Sequence, residues 1–539
     1  MERPEKRQRS AAAPTEEHQS HSSSHTSSSC WEDAVAWIQS NGGTVHPALT
    51  FSSDRSVQTQ AQTKHGGKEN SAIPSGTVLM RIPSSCLLTV DTVSTTPFGK
   101  KLVDMIQGIS SDTLQNDKSD LILALYLAHI SSTNDIHSDH ATYLATLPPP
   151  SSYNNIPRRW DDTQLESLLG GTSLLTRVRK DQSNLKSDYE AISSAWNEKD
   201  GKDESIAKLS SFEQFDDMFA AVSSRGFAGL GSDDGQSDAM VPLLDLLDHR
   251  RGTDAKKDVR YSRCSAKQGS GANSCIEVIA DHDLPPGSTL HDTYGAKGNA
   301  QLLNRYGFCI GNNLEPDGSS NDVVEMSLKA GQPPVELRAG PKSYTYGKLV
   351  RMVGMFQDQD GGDEGANEQE QDSGEDDMEA FLNQCDEEEA GDGNDSNDDF
   401  EMMMYGGDDE MNDHEEEGDQ EDEEKMLESE CKALQEVSSA LSEARQRYSL
   451  KDEKLQDALQ KTDNSPEHFA AVLVQSEQRT IQLYQLAANK IHCRLESMMS
   501  GNSTTESFNE KRDSADDLLL KQVDELVSAY ATIRHGGLM

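Results

Sequence analysis

The segment Asp292–Phe308, DTYGAKGNAQLLNRYGF, decides how this chain is read, together with Met240–Arg250, MVPLLDLLDHR. The later segment holds two Tyr-Gly pairs twelve residues apart, at Tyr294 and Tyr306, around Asn299 and a helical QLLNR. The earlier one is an apolar run that ends in Asp248-His249. No other common catalytic signature is present. Gly229-Leu230-Gly231 lacks both the third glycine and the strand–helix context of a dinucleotide fold. A P-loop, a His-Glu-x-x-His run and a Gly-x-Ser-x-Gly elbow are all missing, and the histidines are dispersed or lie in a Ser-rich tail.

These two segments resemble the C-terminal half of a SET domain, specifically the Rubisco large-subunit methyltransferase-like branch. Its sequences read P-L-x-D-x-x-N-H and then Y-G-x-x-x-N-x-x-L-L-x-x-Y-G-F. The flanks fit in order. Ile73–Pro83 (IPSGTVLMRIP) resembles the first β-ribbon that brackets the cofactor, with a turn at Pro74-Ser75-Gly76 and alternation over Thr77–Pro83. Tyr143–Pro148, Pro157–Trp160 and Leu165–Gly171 follow as the family's Y-x-x-x-L-P, P-x-x-W and E-L-x-x-L-x-G-T landmarks, and Phe212–Phe227 as the helix ending in S-R-x-F. The resemblance implies an α+β chain: a knotted SET β fold over 31–315 with a helical insertion at about 102–224. An all-α substrate-binding domain is expected over 316–355 and 425–539. Helical periodicity marks Trp31–Ser40, the all-round apolar Leu121–Ile130, Glu424–Tyr448, Pro466–Met499 and Ala515–Ile533.

Charge divides the chain. The net charge is −45, yet Met352–Glu424 carries 32 Asp/Glu and no Lys or Arg, which leaves −13 on the other 466 residues. With few large apolar side chains, that block cannot offset its ordering entropy, and 356–424 is expected to be a disordered acidic insertion: a spacer, a decoy for basic partners, or a shield over a basic groove. Residues 1–30 read as a disordered Ser/His-rich tail, whose Lys6-Arg7-Gln8-Arg9 is a weak nuclear signal or a meaningless basic start. Clustered Lys/Arg for phosphate binding is lacking, so no nucleic acid is expected. No run approaches the ~20 apolar residues that span a bilayer, no signal-peptide core follows the start, and Glu2 and Glu5 argue against a transit peptide. The eight cysteines include no Cys-x-x-Cys pair, which points to a reducing compartment and against structural zinc. A monomer in the cytoplasm or nucleus is the expectation.

The resemblance implies a protein methyltransferase that uses S-adenosylmethionine on a protein substrate, with lysine as the acceptor and histidine as the competing one. An inactive SET-fold peptide binder remains open, as does an acidic insertion that is itself the working part. Tyr294 is the expected catalytic residue, its hydroxyl toward the transferred methyl. A phenol of pKa ~10 is a poor base at neutral pH, so its role is positioning. Arg225 is expected to reach the methionine carboxylate of the cofactor, and His249 to read the adenine edge through its backbone. Tyr306 and Phe308 are expected to close over the adenine, and Gly66 to form the Gly-rich turn near the charged end. Asp248 stands where the family has Asn; it accepts a hydrogen bond from the cofactor's ammonium but cannot donate one. Lys297 faces the acceptor or is a solvated loop lysine, and Asn299 holds the turn.

Overall fold

The computed structural model describes residues 29–52, 55–61, 72–133, 140–200, 209–250, 257–264, 274–315, 319–329, 331–340, 342–357, 419–461, 464–500 and 514–535. Gly66, most of the N-terminal tail and most of the acidic insertion lie outside them.

The first helix, Cys30–Ser40, starts at a reciprocal Ser29/Glu32 capping box and buries Trp31, Ala34 and Ile38. It covers a four-stranded antiparallel sheet in which Val78–Pro83 pairs with Thr44–Val45 on one side and with Cys275–Ala280 on the other. Val259–Cys264 completes the sheet as the hairpin partner of Cys275–Ala280. The alternation read from Thr77–Pro83 gives way to burial on both faces: Leu79 is fully buried on one, Met80 and Ile82 on the other, with a register irregularity between Val78 and Met80.

Between Leu88 and Met240 the chain is helical, and these helices serve two cores. Lys118–Thr133 is buried from Leu121 to Ala128 and again at Ile130, as an all-round apolar helix must be. It packs with Pro97–Gln107, Phe212–Arg225 and the distal part of Ser173–Asp200, through Leu185, Ile192 and Trp196. By contrast, Trp160, Leu165, Leu168, Leu169, Leu174 and Val178 from the same insertion are buried in the core of the C-terminal domain. The helical insertion therefore fastens the β-rich body to the C-terminal region.

That region opens with an antiparallel ribbon, Val323–Met326 with Val335–Arg338, whose Val324, Val335 and Leu337 belong to the helical core. The helices Lys342–Gln357, Asp419–Gln446, Asp452–Leu459, Pro466–Met499 and Ser514–His535 follow. The expected helices at 424–448 and 466–499 are present, the first beginning already at Asp419 inside the acidic run. Among the described residues no helix is long and apolar enough to cross a membrane.

Candidate active site

The two segments that decide the fold meet in space. Asp248–His249 and His291–Asp292 form a short parallel ladder, with Asp248 opposite His291 and His249 opposite Asp292. Parallel neighbours need a long connection, and here it contains the hairpin of Val259–Cys264 and Cys275–Ala280. Two glycines make the return sharp. Gly295 (φ +91°) follows Tyr294, and Gly307 (φ +77°) caps the helix Asn299–Tyr306 in the left-handed region that glycine enters without strain. A Cβ at Gly307 would also lie 3.2 Å from Asn155 Cβ and Ile156 N.

Four rings gather around this ladder. Tyr294 lies 4.9 Å from His249, 4.7 Å from Tyr306 and 6.4 Å from Phe308, measured between ring centres. The Tyr294 amide donates to His249 Nδ1 at 2.9 Å, which fixes the imidazole with its proton on Nε2. The Tyr294 hydroxyl donates to the Leu247 carbonyl at 3.1 Å. Burial raises the Tyr294 phenol well above its ordinary range, against a smaller opposing pull from Arg225. Burial also raises Tyr306.

Next to this cluster sits a buried charge pair. Leu243 adopts a left-handed backbone (φ +66°) and starts the single turn Leu244–Leu246, which turns Asp245 into the interior. The Arg225 Nη1 donates to the Asp245 carbonyl at 2.6 Å and lies 3.5 Å from its Oδ2, which also accepts from the Tyr143 hydroxyl at 2.9 Å. Burial pushes the Asp245 carboxyl up, and Arg225 opposes that shift. For Arg225 the balance reverses: burial alone would lower it, but Asp245 and Tyr153 hold it above its ordinary value. A second cation, Arg55, feels the same field, lowered by burial and by Arg225; its Nη1 donates to the Thr146 carbonyl and its guanidinium lies over the Trp31 ring. Arg225 Nε and Asp245 Oδ1 are buried without a hydrogen-bond partner among the described residues.

The structure brings Arg225, His249, Tyr294, Tyr306 and Phe308 close together. Asp248 is exposed beside them, where water screens the charge, although it still raises Tyr294 slightly. Lys297 is half-buried in the turn and lowered by burial and by Arg305. Asn299 is buried and holds the turn: its side chain donates to the Ile310 carbonyl at 3.0 Å and to Asp322 at 2.9 Å, and accepts from the Ile310 amide at 2.7 Å.

Asp245, Arg55, Tyr261 and Phe227 escaped the sequence reading. Asp245 was legible as the aspartate of P-L-x-D. Tyr261 reaches the site only through strand pairing: its hydroxyl feels the charge of the buried Asp292 carboxylate and its ring meets Phe227 edge-on at 5.5 Å. Among the described residues no group of His, Cys, Asp and Glu could hold a metal ion.

No family model matches the chain. It is 22% identical over 336 residues to the N-lysine methyltransferase setd6 of Xenopus laevis, covering 59% of this chain and 67% of the relative. It is 23% identical over 269 residues to ribosomal lysine N-methyltransferase 4 of Saccharomyces cerevisiae, covering 47% and 49%. The chain therefore spans about half to two thirds of the length of these curated relatives. Among solved structures, the SET domain of LSMT bound to lysine and AdoHcy superposes with a TM-score of 0.53 at 14% identity, over 91% of this chain and 98% of that one. Rubisco LSMT bound to AdoMet superposes at 0.52 and 15% identity, over 92% and 99%. The fold is that of a SET domain with its helical additions.

Proposed function

We propose, from the chain's place in the Rubisco large-subunit methyltransferase-like branch of SET-domain proteins, that it transfers a methyl group from S-adenosylmethionine to a lysine side chain of a protein substrate. The observation that carries this reading is the parallel ladder of Asp248–His249 with His291–Asp292, which seats Tyr294 between His249 and Tyr306 beside the Arg225–Asp245 pair.

The residues present suit such a cofactor. Arg225 has a buried Nε with no partner among the described residues, and a second cation, Arg55, lies in the same field. One carboxylate, Asp245, faces two guanidinium groups, an excess of positive charge that matches an amino-acid carboxylate. The rings of Tyr306 and Phe308, tilted 50° to each other, offer the apolar faces that a purine needs. When bound, the cofactor supplies a methyl group activated by a sulfonium.

The chain supplies alignment and dryness. Tyr294 is neutral at working pH, since burial raises its phenol, so its hydroxyl positions and does not act as a base. Held by the Leu247 carbonyl through its proton, the phenol oxygen keeps lone pairs for weak C–H···O contacts at the acceptor. Tyr261 and Phe227 present aromatic surface that excludes water from an aliphatic lysine stem. We propose further that the substrate is basic, that the enzyme acts as a monomer in the cytoplasm or nucleus, and that nucleic acid is not a partner. The mild acidity of the chain outside its acidic block supports the first and last of these.

The test is incubation of the full chain with methyl-labelled S-adenosylmethionine and a cellular protein pool, followed by total hydrolysis. Label in methyl-lysine is the expected result. Label in methyl-histidine, or none in protein, would sink the reading.

A further inference from the structure

The hairpin that links the two halves of the site carries a feature outside its methyl-transfer chemistry. Cys264 ends one strand, Cys275 begins the next, and the register sets them directly opposite each other. Opposed residues in an antiparallel pair have Cα atoms about 4.5–5.5 Å apart, inside the ~4.4–6.8 Å that a disulfide spans. Because the two are ladder partners, their side chains leave the sheet on the same face, the one that also carries Glu277 and Arg81. Both thiols are free and partly exposed. The two thiols interact electrostatically, and both act on the Arg81 guanidinium. Among the described cysteines no other two are ladder partners.

The backbone at this end of the hairpin is already fixed. The Ser84 amide donates to the Ser274 carbonyl at 2.9 Å, and Arg263 donates to the Leu230 carbonyl at 2.8 Å and to Ser274 Oγ at 3.2 Å. A covalent link between the sulfurs therefore requires side-chain rotation and no movement of the strands.

We propose that Cys264 and Cys275 form a reversible dithiol site that a hydroperoxide closes to a disulfide. In the first step the Cys264 sulfur attacks hydrogen peroxide, the O–O bond breaks, and one water leaves a sulfenic acid behind. In the second, the Cys275 sulfur attacks the sulfenic sulfur, the S–S bond forms, the S–O bond breaks, and a second water departs. Two thiols are oxidised and one peroxide is reduced to two waters. Burial, Cys264 and Glu277 push the Cys275 thiol up, which suits it to the second, resolving step. Thiol–disulfide exchange with a reduced dithiol reopens the site. The bond would pin the hairpin that also bears Tyr261, on the opposite face three residues before Cys264.

This inference is independent of the methyltransferase reading, and so is its test. The reduced full chain is treated with stoichiometric hydrogen peroxide, alkylated, and mapped by mass spectrometry without reduction. The expected result is joint loss of alkylation at Cys264 and Cys275, with a linked peptide lighter by two hydrogens that dithiothreitol dissolves. In Cys275→Ser, Cys264 should instead stop at a sulfenic acid that dimedone traps. The proposal is overturned if both thiols stay fully alkylatable while the exposed Cys493 is oxidised, or if Cys264 links to a different cysteine.

Discussion

Tyr294 is held at three points: its amide by His249 Nδ1, its hydroxyl by the Leu247 carbonyl, its ring between His249 and Tyr306. Phenylalanine keeps the ring contacts and removes only the oxygen. Tyr294→Phe should therefore lower kcat by roughly two orders of magnitude, the size of a lost positioning contact, while the affinity for S-adenosylmethionine stays within a few-fold. Radiometric turnover and calorimetry on the same preparation would separate these effects; unchanged turnover would remove Tyr294 from the catalytic role. Asp245 answers to different physics. Deleting one member of a buried charge pair leaves the other uncompensated, so Asp245→Ala should cost about 3 kcal/mol of stability, read as a lower midpoint in urea unfolding. The Tyr-Gly pairs and Asp248-His249 stood out in the chain because each is a short local pattern. Asp245 was within reach in P-L-x-D. Arg55 and Tyr261 were not, because a hairpin and a strand register bring them in from far away in sequence.

Elements carry the second group of consequences. The helix Pro466–Met499 buries Glu477 completely; its Oε2 accepts from the Tyr448 hydroxyl at 2.8 Å, and Asp322 lies close by. Burial, with a smaller push from Asp322 and against the Tyr448 bond, raises this carboxyl to about 8. The folded state thus keeps a proton that the unfolded chain releases above its ordinary carboxyl range near 4.5. Stability must then fall as pH rises between roughly 5 and 8 and level off above that, with a slope approaching ~1.4 kcal/mol per pH unit. Glu477→Gln should flatten that slope, and denaturant unfolding of both proteins at pH 5, 7 and 9 would show it; parallel curves would mean that Glu477 is ionised when folded. The helix itself was plain from its apolar periodicity, from Pro466 at its start to Met499. The state of Glu477 was not, since it depends on Tyr448, in the connection after the helix Asp419–Gln446, and on the segment around Asp322. Gly307 is the sharper test of local geometry. With its left-handed backbone and close approach to Asn155 and Ile156, Gly307→Ala should cost about 1–2 kcal/mol.

At the scale of the molecule, the helical insertion joins two cores. Trp160 is buried in the C-terminal core, and its indole donates to the Asn154 carbonyl at 2.8 Å. Trp160→Ala should cost about 3–5 kcal/mol, and limited proteolysis should release the C-terminal helices while the β-rich body persists. Sequence landmarks placed Trp160 correctly in order, but its membership in the distal core follows from packing alone. The acidic block contrasts with this: its charge was evident from composition, and removing residues 358–418 should leave cofactor affinity unchanged. The proposed function rests on the residues around Tyr294, Arg225 and His249, and cofactor binding there is the most direct measurement. Calorimetric titration of the full chain with S-adenosylmethionine, beside Arg225→Ala, should show micromolar binding that the variant loses. Absence of binding to the unaltered chain, or equal binding by Arg225→Ala, would contradict the assignment of these residues to the cofactor.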